Sequence, residues 1–228
     1  MRIKIYQIDS DLDKERVRFL GSDEHECLFG KMKIDPSIYK QVFNAVIDEN
    51  DLEDIFRRFN TDGHPLYRGS SMSVSDVVVT EDGKAHFCDS IGFKDIDFDE
   101  SQATIPDNLF RIVYVEPHRP AYESDMEDSY EGESKAVKGM IELIYNDDGT
   151  ILVGNDEAKL IGMEGNRHLD NGVSIIAGPF FVIGDDGEDF RSLTDEEVNK
   201  YVQKYAEPED ISNEETQADM GFVIYGMN

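Results

Sequence analysis

The chain has 228 residues, 39% of them hydrophobic, and sets 50 aspartates and glutamates against 22 lysines and arginines, a formal net charge of −28. Thirteen phenylalanines and ten tyrosines exclude a disordered chain, and no apolar stretch approaches the roughly 20 residues needed to cross a bilayer. So negative a field disfavours free nucleic acid and anionic lipid and attracts basic partners, although a merely solvated acidic surface would carry the same charge.

The opening, Arg2 to Ile8, alternates apolar and polar residues and reads as a strand, not as a signal peptide. Val17 to Gly21 reads as its antiparallel neighbour. Ile34 to Ile47 is expected to be helical: Asp35 can cap, Pro36 suits the first turn, and Ile38, Val42, Phe43 and Val46 share a face. A second helix is expected over Asp51 to Asn60, with Leu52, Ile55, Phe56 and Phe59 on one stripe. Ser73 to Phe93 reads as a hairpin turning at Glu81-Asp82-Gly83.

Polar Lys94 to Asn108 marks a boundary, giving domains over 1–100 and 110–228 with a linker at 101–109. Leu109 to Pro117 opens a new strand. His118 to Ser134 reads as a loop, with a helix starting inside or just after it and stopping at Gly139. Met140–Tyr145 and Thr150–Gly154 form a second hairpin around Asp147-Asp148-Gly149. Val173 to Gly184 reads as one long strand broken by Gly178-Pro179, at a bulge or sheet edge. Thr194 with Glu197 forms a capping box for a helix burying Val198, Tyr201, Val202 and Tyr205. An acidic stretch then leads to a short strand over Gly221–Met227. The predicted fold class is α+β: two small domains, each a mainly antiparallel sheet with one or two packed helices. Residues 1–100 carry 22 acids and 13 bases (net −9) and the remainder 28 and 9 (net −19), so the second domain holds most of the field.

Metal chemistry has two starting points. EF-hand spacing fails at Asp185, where Gly187 and Phe190 fall on the third and sixth positions, and at Asp9, where Lys14 and Leu20 replace the glycine and the glutamate. The only cysteines, Cys27 and Cys88, each follow a histidine by two residues. On strands, His25, Cys27, His86 and Cys88 would offer a tetrahedral zinc set, against which stands the plain reading of an ordinary core strand. Two cysteines make no disulfide framework, which fits a reducing cytoplasm.

No nucleophile elbow or phosphate-cradling loop occurs, and His64 and His118 sit beside prolines in loop-like sequence. With fifty acids, no carboxylate pair stands out as a catalytic couple. The one locally basic stretch, Arg57 to Gly69, is too short to offset the field. Direct nucleic-acid binding, membrane insertion and a cofactor are therefore not expected.

Two resemblances are visible. Residues 1 to about 99 resemble the YodL-like domain, through "IKIYQIDSD", "LEDIFRRFNTD", "HPLYRGSSMSVSDVV" and "FCDSIGFKDIDFD". Residues from about 110 to 208 resemble a domain of unknown function common in phage and conjugative-element proteins. That match rests on "VYVEPHRPAY", "GMIELIY", "ILVGNDEAKLIGMEGNR", "IIAGPFFVIG" and "EDFRSLTDEEVNKYVQKYAEPE". The resemblance implies no catalytic residue. It does imply a mobile-genetic-element setting, often near antirestriction genes in Gram-positive gut bacteria.

Three functional readings follow. In the first, the chain is a non-enzymatic acidic protein that mimics DNA toward a basic DNA-binding host protein, an anti-defence accessory. Its interaction surface would comprise Asp125, Glu127, Asp128, Glu131, Asp185, Asp186, Glu188, Asp189, Asp195 and Glu196, drawn from Tyr122–Glu133, Ile183–Phe190 and the Leu193–Glu197 turn, with Glu207–Glu215 adding charge. In the second, a small nucleotide-like ligand binds a pocket lined by Asn155, Asn166 and Arg167, residues that serve equally as turn and core positions. The third, a metal-dependent hydrolase built on carboxylates, has no motif to assign roles.

Overall fold

A computed structural model describes residues 1–169, 172 and 174–225, with side chains as far as Asp219. The chain divides into two compact units, Met1–Asp107 and Asn108–Asn228. Both are α+β and sheet-rich, and every pairing between named strands is antiparallel.

The first unit orders its strands β2-β1-β3-β4-β5. Strand β1 is Arg2–Ile8; helix α1, Ser22–Phe29, follows it. Strand β2 is Tyr39–Val46 and helix α2 is Leu52–Asn60; β3 is Val77–Thr80, β4 Ala85–Cys88 and β5 Phe93–Ile96. Helix α2 forms where expected, with the Asp51 carboxylate accepting from the Glu53 and Asp54 amides and with Ile55 and Phe59 buried. The β3–β4 hairpin likewise turns at the expected glycine, Gly83 (φ 80°).

Three expectations fail here. Ile34–Ile47 is not a helix: Asp35 and Pro36 start only a 3₁₀ turn, Pro36–Ile38, and the chain then runs straight into β2. Tyr39, Gln41, Phe43 and Ala45 are all buried, and this period of two, rich in aromatic and β-branched neighbours, wins because β1 needs a partner. Val17–Gly21 does not pair with β1, whose neighbours are β2 and β3. It forms turns instead, with Arg16 and Phe19 at positive φ and the Asp13 carboxylate accepting from the Val17 and Arg18 amides. Helix α1 had no sequence signal because it is polar nearly all round, burying only Ser22 and His25. At the unit's far end, Thr104 exchanges backbone bonds with Tyr39 (2.8 Å) and Gln41 (2.9 Å), so residues expected to be linker are tied to β2.

The second unit orders its main sheet β7-β6-β12-β9-β8. Strand β6 is Leu109–Val115, β7 Tyr122–Glu127, β8 Ile141–Tyr145 and β9 Thr150–Asn155, with helix α3, Tyr130–Val137, between β7 and β8. Strands β10 (Gly165–His168) and β11 (Ile175–Ala177) make a separate two-stranded sheet. Strand β12 is Phe180–Asp185, paired also with short β13, Phe190–Arg191; helices α4, Asp195–Lys204, and α5, Asn213–Tyr225, follow.

Alternation divides the main sheet's two faces. Val113, Val115, Leu152, Phe180 and Val182 pack against Leu193, Val198, Tyr201 and Tyr205 beneath α4. Each large apolar side chain so buried contributes roughly 1.5–3 kcal/mol. Phe181 pairs with Tyr114 and Val153 on the opposite face, where the Tyr114 hydroxyl donates to the Ala136 carbonyl of α3 at 2.7 Å. The capping box forms as expected, Thr194 and Glu197 bonding reciprocally.

Corrections are needed here as well. His118–Ser134 contains β7, whose inward Tyr122, Ser124 and Met126 alternate with Glu123, Asp125 and Glu127; its acids disguised the strand as a loop. Gly178-Pro179 separates two strands in different sheets, and β12 is central to its sheet; Val173 lies outside the described residues. Gly178 takes φ 70°, which needs no Cβ, while the Met163 sulfur occupies the space a side chain would use. Helix α3 ends at Lys138 in the left-handed region, one residue before the expected stop. Gly139 remains necessary there, because Asn155 fills the position of any Cβ. The final strand is instead the end of α5, with Gly226 and Met227 outside the described residues.

Candidate functional site: an acidic cleft in the second unit

Helix α3 has only eight residues and covers part of its sheet face. Beyond it the face continues as Phe110, Leu143, Tyr145 and Ile151, which floor a cleft of about 660 Å³. Its rim is acidic: Asp128 and Glu133 from the start of α3, and Asp185, Asp186, Glu188 and Asp189 from the β12–β13 turn. No lysine or arginine lines it. Among the described residues none pairs with Asp128, Asp186, Glu188 or Asp189 either.

Local chemistry builds both walls. In the turn, the Asp185 carboxylate accepts from the Gly187 amide (2.8 Å), Gly187 adopts φ 88°, and the Asp186 amide donates to the Asp189 carbonyl (3.0 Å). The side chains of Asp186, Glu188 and Asp189 are left facing solvent. Behind the turn, Arg191 clamps Glu197 through two bonds (2.7 and 2.9 Å) and donates to the Gly149 carbonyl (3.1 Å). That guanidinium holds the Glu197 carboxyl down at about 2. On the other wall, the Ser129 hydroxyl caps α3 by accepting from the Gly132 amide (3.0 Å), which brings Glu133 over the sheet. Glu133 is 9% exposed, and burial, reinforced by Asp128, raises its pKa.

Five of the ten residues predicted as an interaction surface therefore share this cleft: Asp128, Asp185, Asp186, Glu188 and Asp189. The other five do not line it. Asp195 is held at 2.5 Å by Arg111, which also grips Glu123 at 2.5 Å. Asp125 and Glu127 lie on β7, Glu131 on the outer side of α3 and Glu196 on α4. Glu133 stands in the quoted acidic stretch, but nothing in its spacing distinguishes it from its neighbours; only the packing of α3 does.

The predicted pocket residues are spent on structure. The Asn155 amide donates to the Val137 (3.1 Å) and Lys138 (3.0 Å) carbonyls and closes α3. Asn166 donates to the Val115 (3.1 Å) and Gly178 (2.8 Å) carbonyls, tying β10 to β6. Arg167 is 1% exposed and bonds four oxygens, of the Asn166 main chain and side chain and of the Arg119 and Tyr205 carbonyls. Asn155 also lines a cavity of about 450 Å³ beside β11.

The four zinc ligands expected from sequence do not converge in the way their spacing implied. His25 and Cys27 sit on helix α1, where two residues turn through about 200°, so His25 is buried and Cys27 exposed. His86 is bonded to Asp95 at 2.8 Å, and Cys88 is buried, its thiol pushed up to about 12 by desolvation. Among the described residues no three His, Cys, Asp or Glu side chains are placed to hold one metal ion. No described helix is long and apolar enough to cross a membrane.

Neither the curated proteins nor the solved structures contain a match to the chain. Family comparison does find both halves, in the order the resemblances implied. The chain carries a YodL-like domain over residues 2–98, followed by a Domain of unknown function (DUF3846) over residues 110–206.

Proposed function

We propose that this chain is a non-enzymatic acidic interaction protein of a mobile genetic element, whose second domain docks a basic DNA-binding host protein in place of DNA. One observation carries the reading: six carboxylates line one cleft that contains no cation. Duplex DNA presents one charge per roughly 1.7 Å of axis, and its binders meet it with rows of lysine and arginine. A rigid turn and a capped helix that hold carboxylates together offer such rows a comparable target without the entropy of ordering free side chains. An anti-defence role follows if the host partner belongs to restriction.

The test separates cleft from bulk charge. One variant neutralises Asp185, Asp186, Glu188 and Asp189 as Asn or Gln; a control neutralises Asp62, Asp97, Asp107 and Glu157, four exposed acids outside the cleft. Binding of a fluorescent arginine-rich peptide is expected to weaken at least tenfold in the first and much less in the second. Equal weakening would reduce the cleft to ordinary surface charge and end this reading.

A further inference from the structure

The geometry points to an arginine side chain of the basic partner as the group the cleft receives, with Glu133 as its principal contact; the inference rests on the docking reading above. Glu133 lies among the cleft's lining residues and is 9% exposed, yet its carboxylate has no hydrogen bond or ion pair with any described residue. Its side chain is largely screened from water and its carboxylate reaches solvent only through the cleft, so a donor arriving there would offset the cost of its partial burial. Other acids of this unit do have one: Glu197 has Arg191, Asp195 has Arg111, Asp148 has Lys200 and Asp219 has Lys159. Glu133 instead faces the cleft with Asp128, and an incoming cation would satisfy both.

The cation's chemistry follows from the walls. The carboxylates are spread around the cleft, and no three are placed to ligate a single metal ion among the described residues. A compact ion would reach one or two of them. A planar guanidinium presents five donors in a fixed fork and can bridge separated carboxylates. It also stacks on aromatic faces, which an ammonium does less well. Tyr145 supplies such a surface: it lines the cleft and is 64% exposed. Phe110 and Phe190 form an edge-to-face pair 6.4 Å apart beside it, and Leu143 offers an apolar seat for the methylene stem.

Anisotropy titration of the full chain with labelled hexa-arginine and hexa-lysine, equal in charge, tests this. Hexa-arginine is expected to bind about tenfold more tightly. Glu133→Gln is expected to remove most of that preference while leaving hexa-lysine binding within about twofold, and Tyr145→Ala to reduce it as well. Because Gln preserves shape and removes an unpaired buried charge, the variant should melt no lower than the parent, which a thermal scan verifies. Equal affinity for the two peptides, or an unchanged preference in Glu133→Gln, overturns the arginine assignment while leaving acidic docking intact. Failure of both peptides to bind the parent chain overturns both.

Discussion

Arg167 on β10 donates to the main-chain carbonyl of Tyr205 at the end of α4, 3.1 Å away, although both residues are almost wholly buried. The same guanidinium reaches the Arg119 carbonyl at 2.7 Å, so one side chain joins β10, the β6–β7 connection and the C-terminus of α4. Its Nε has no partner, and burial lowers its proton affinity. Arg167→Met would leave backbone acceptors buried and unmet, and a loss on the order of 3 kcal/mol is expected. Arg167→Lys should fall between, keeping the charge but not the fork. Urea denaturation of the full chain measures both; a Met variant as stable as the parent would refute the structural role.

In the first unit, Asp76 is 4% exposed and accepts from the Gln7 side chain and the Ser73 amide, both at 2.8 Å. Burial outweighs these bonds and the pull of Arg18, raising its pKa from 3.8 to about 7. A carboxyl with a raised folded-state pKa binds its proton more tightly folded than unfolded. Its contribution therefore favours the fold at low pH and is lost as pH rises from about 4 to about 7. The loss is on the order of 4 kcal/mol. Asp76→Asn should flatten that part of the stability profile relative to the parent, as read from guanidinium midpoints between pH 4 and 8. Parallel profiles would show that Asp76 does not titrate there.

His25 offers an opposite kind of test. It is 1% exposed, packed between Phe29 and Phe87, and neither ring nitrogen has a partner at good hydrogen-bond geometry, the Lys33 backbone being its nearest polar neighbour in effect. Desolvation lowers its pKa against the opposing pull of the Lys33 backbone, Asp89 and Glu24. Replacing an unsatisfied polar ring by an apolar one of similar shape is neutral or stabilising. His25→Phe is expected to keep or raise the melting temperature. A fall of more than a few degrees would mean that the ring nitrogens make bonds in solution.

Much of this architecture was legible in the residues, and the failures share a cause. Helix α2 and the capping box of α4 were readable because cap, charge and apolar stripe all agree. Strand β2 was misread because Ile38, Val42, Phe43 and Val46 satisfy a helical spacing while Tyr39, Gln41, Phe43 and Ala45 satisfy an extended one; only the demand of β1 for a neighbour decides. Strand β7 and helix α1 were hidden by charge, since acidic residues on an outward face look like loop. Asp185, Asp186, Glu188 and Asp189 share the cleft because the β12–β13 turn keeps them adjacent in space as in sequence. Glu133 was not singled out, because its burial depends on α3 lying across a sheet whose strands come from three separate stretches of chain.

Docking through the second domain is tested most directly by competition at varied salt. A basic DNA-binding protein is held on a fluorescent duplex, the full chain is added, and release is followed from 50 to 300 mM salt. Release by stoichiometric chain at low salt is expected, with the chain's affinity for the basic protein falling steeply and log-linearly as salt rises and with the four-site cleft variant ineffective. An affinity flat across that range, or equal release by the cleft variant, would contradict the account.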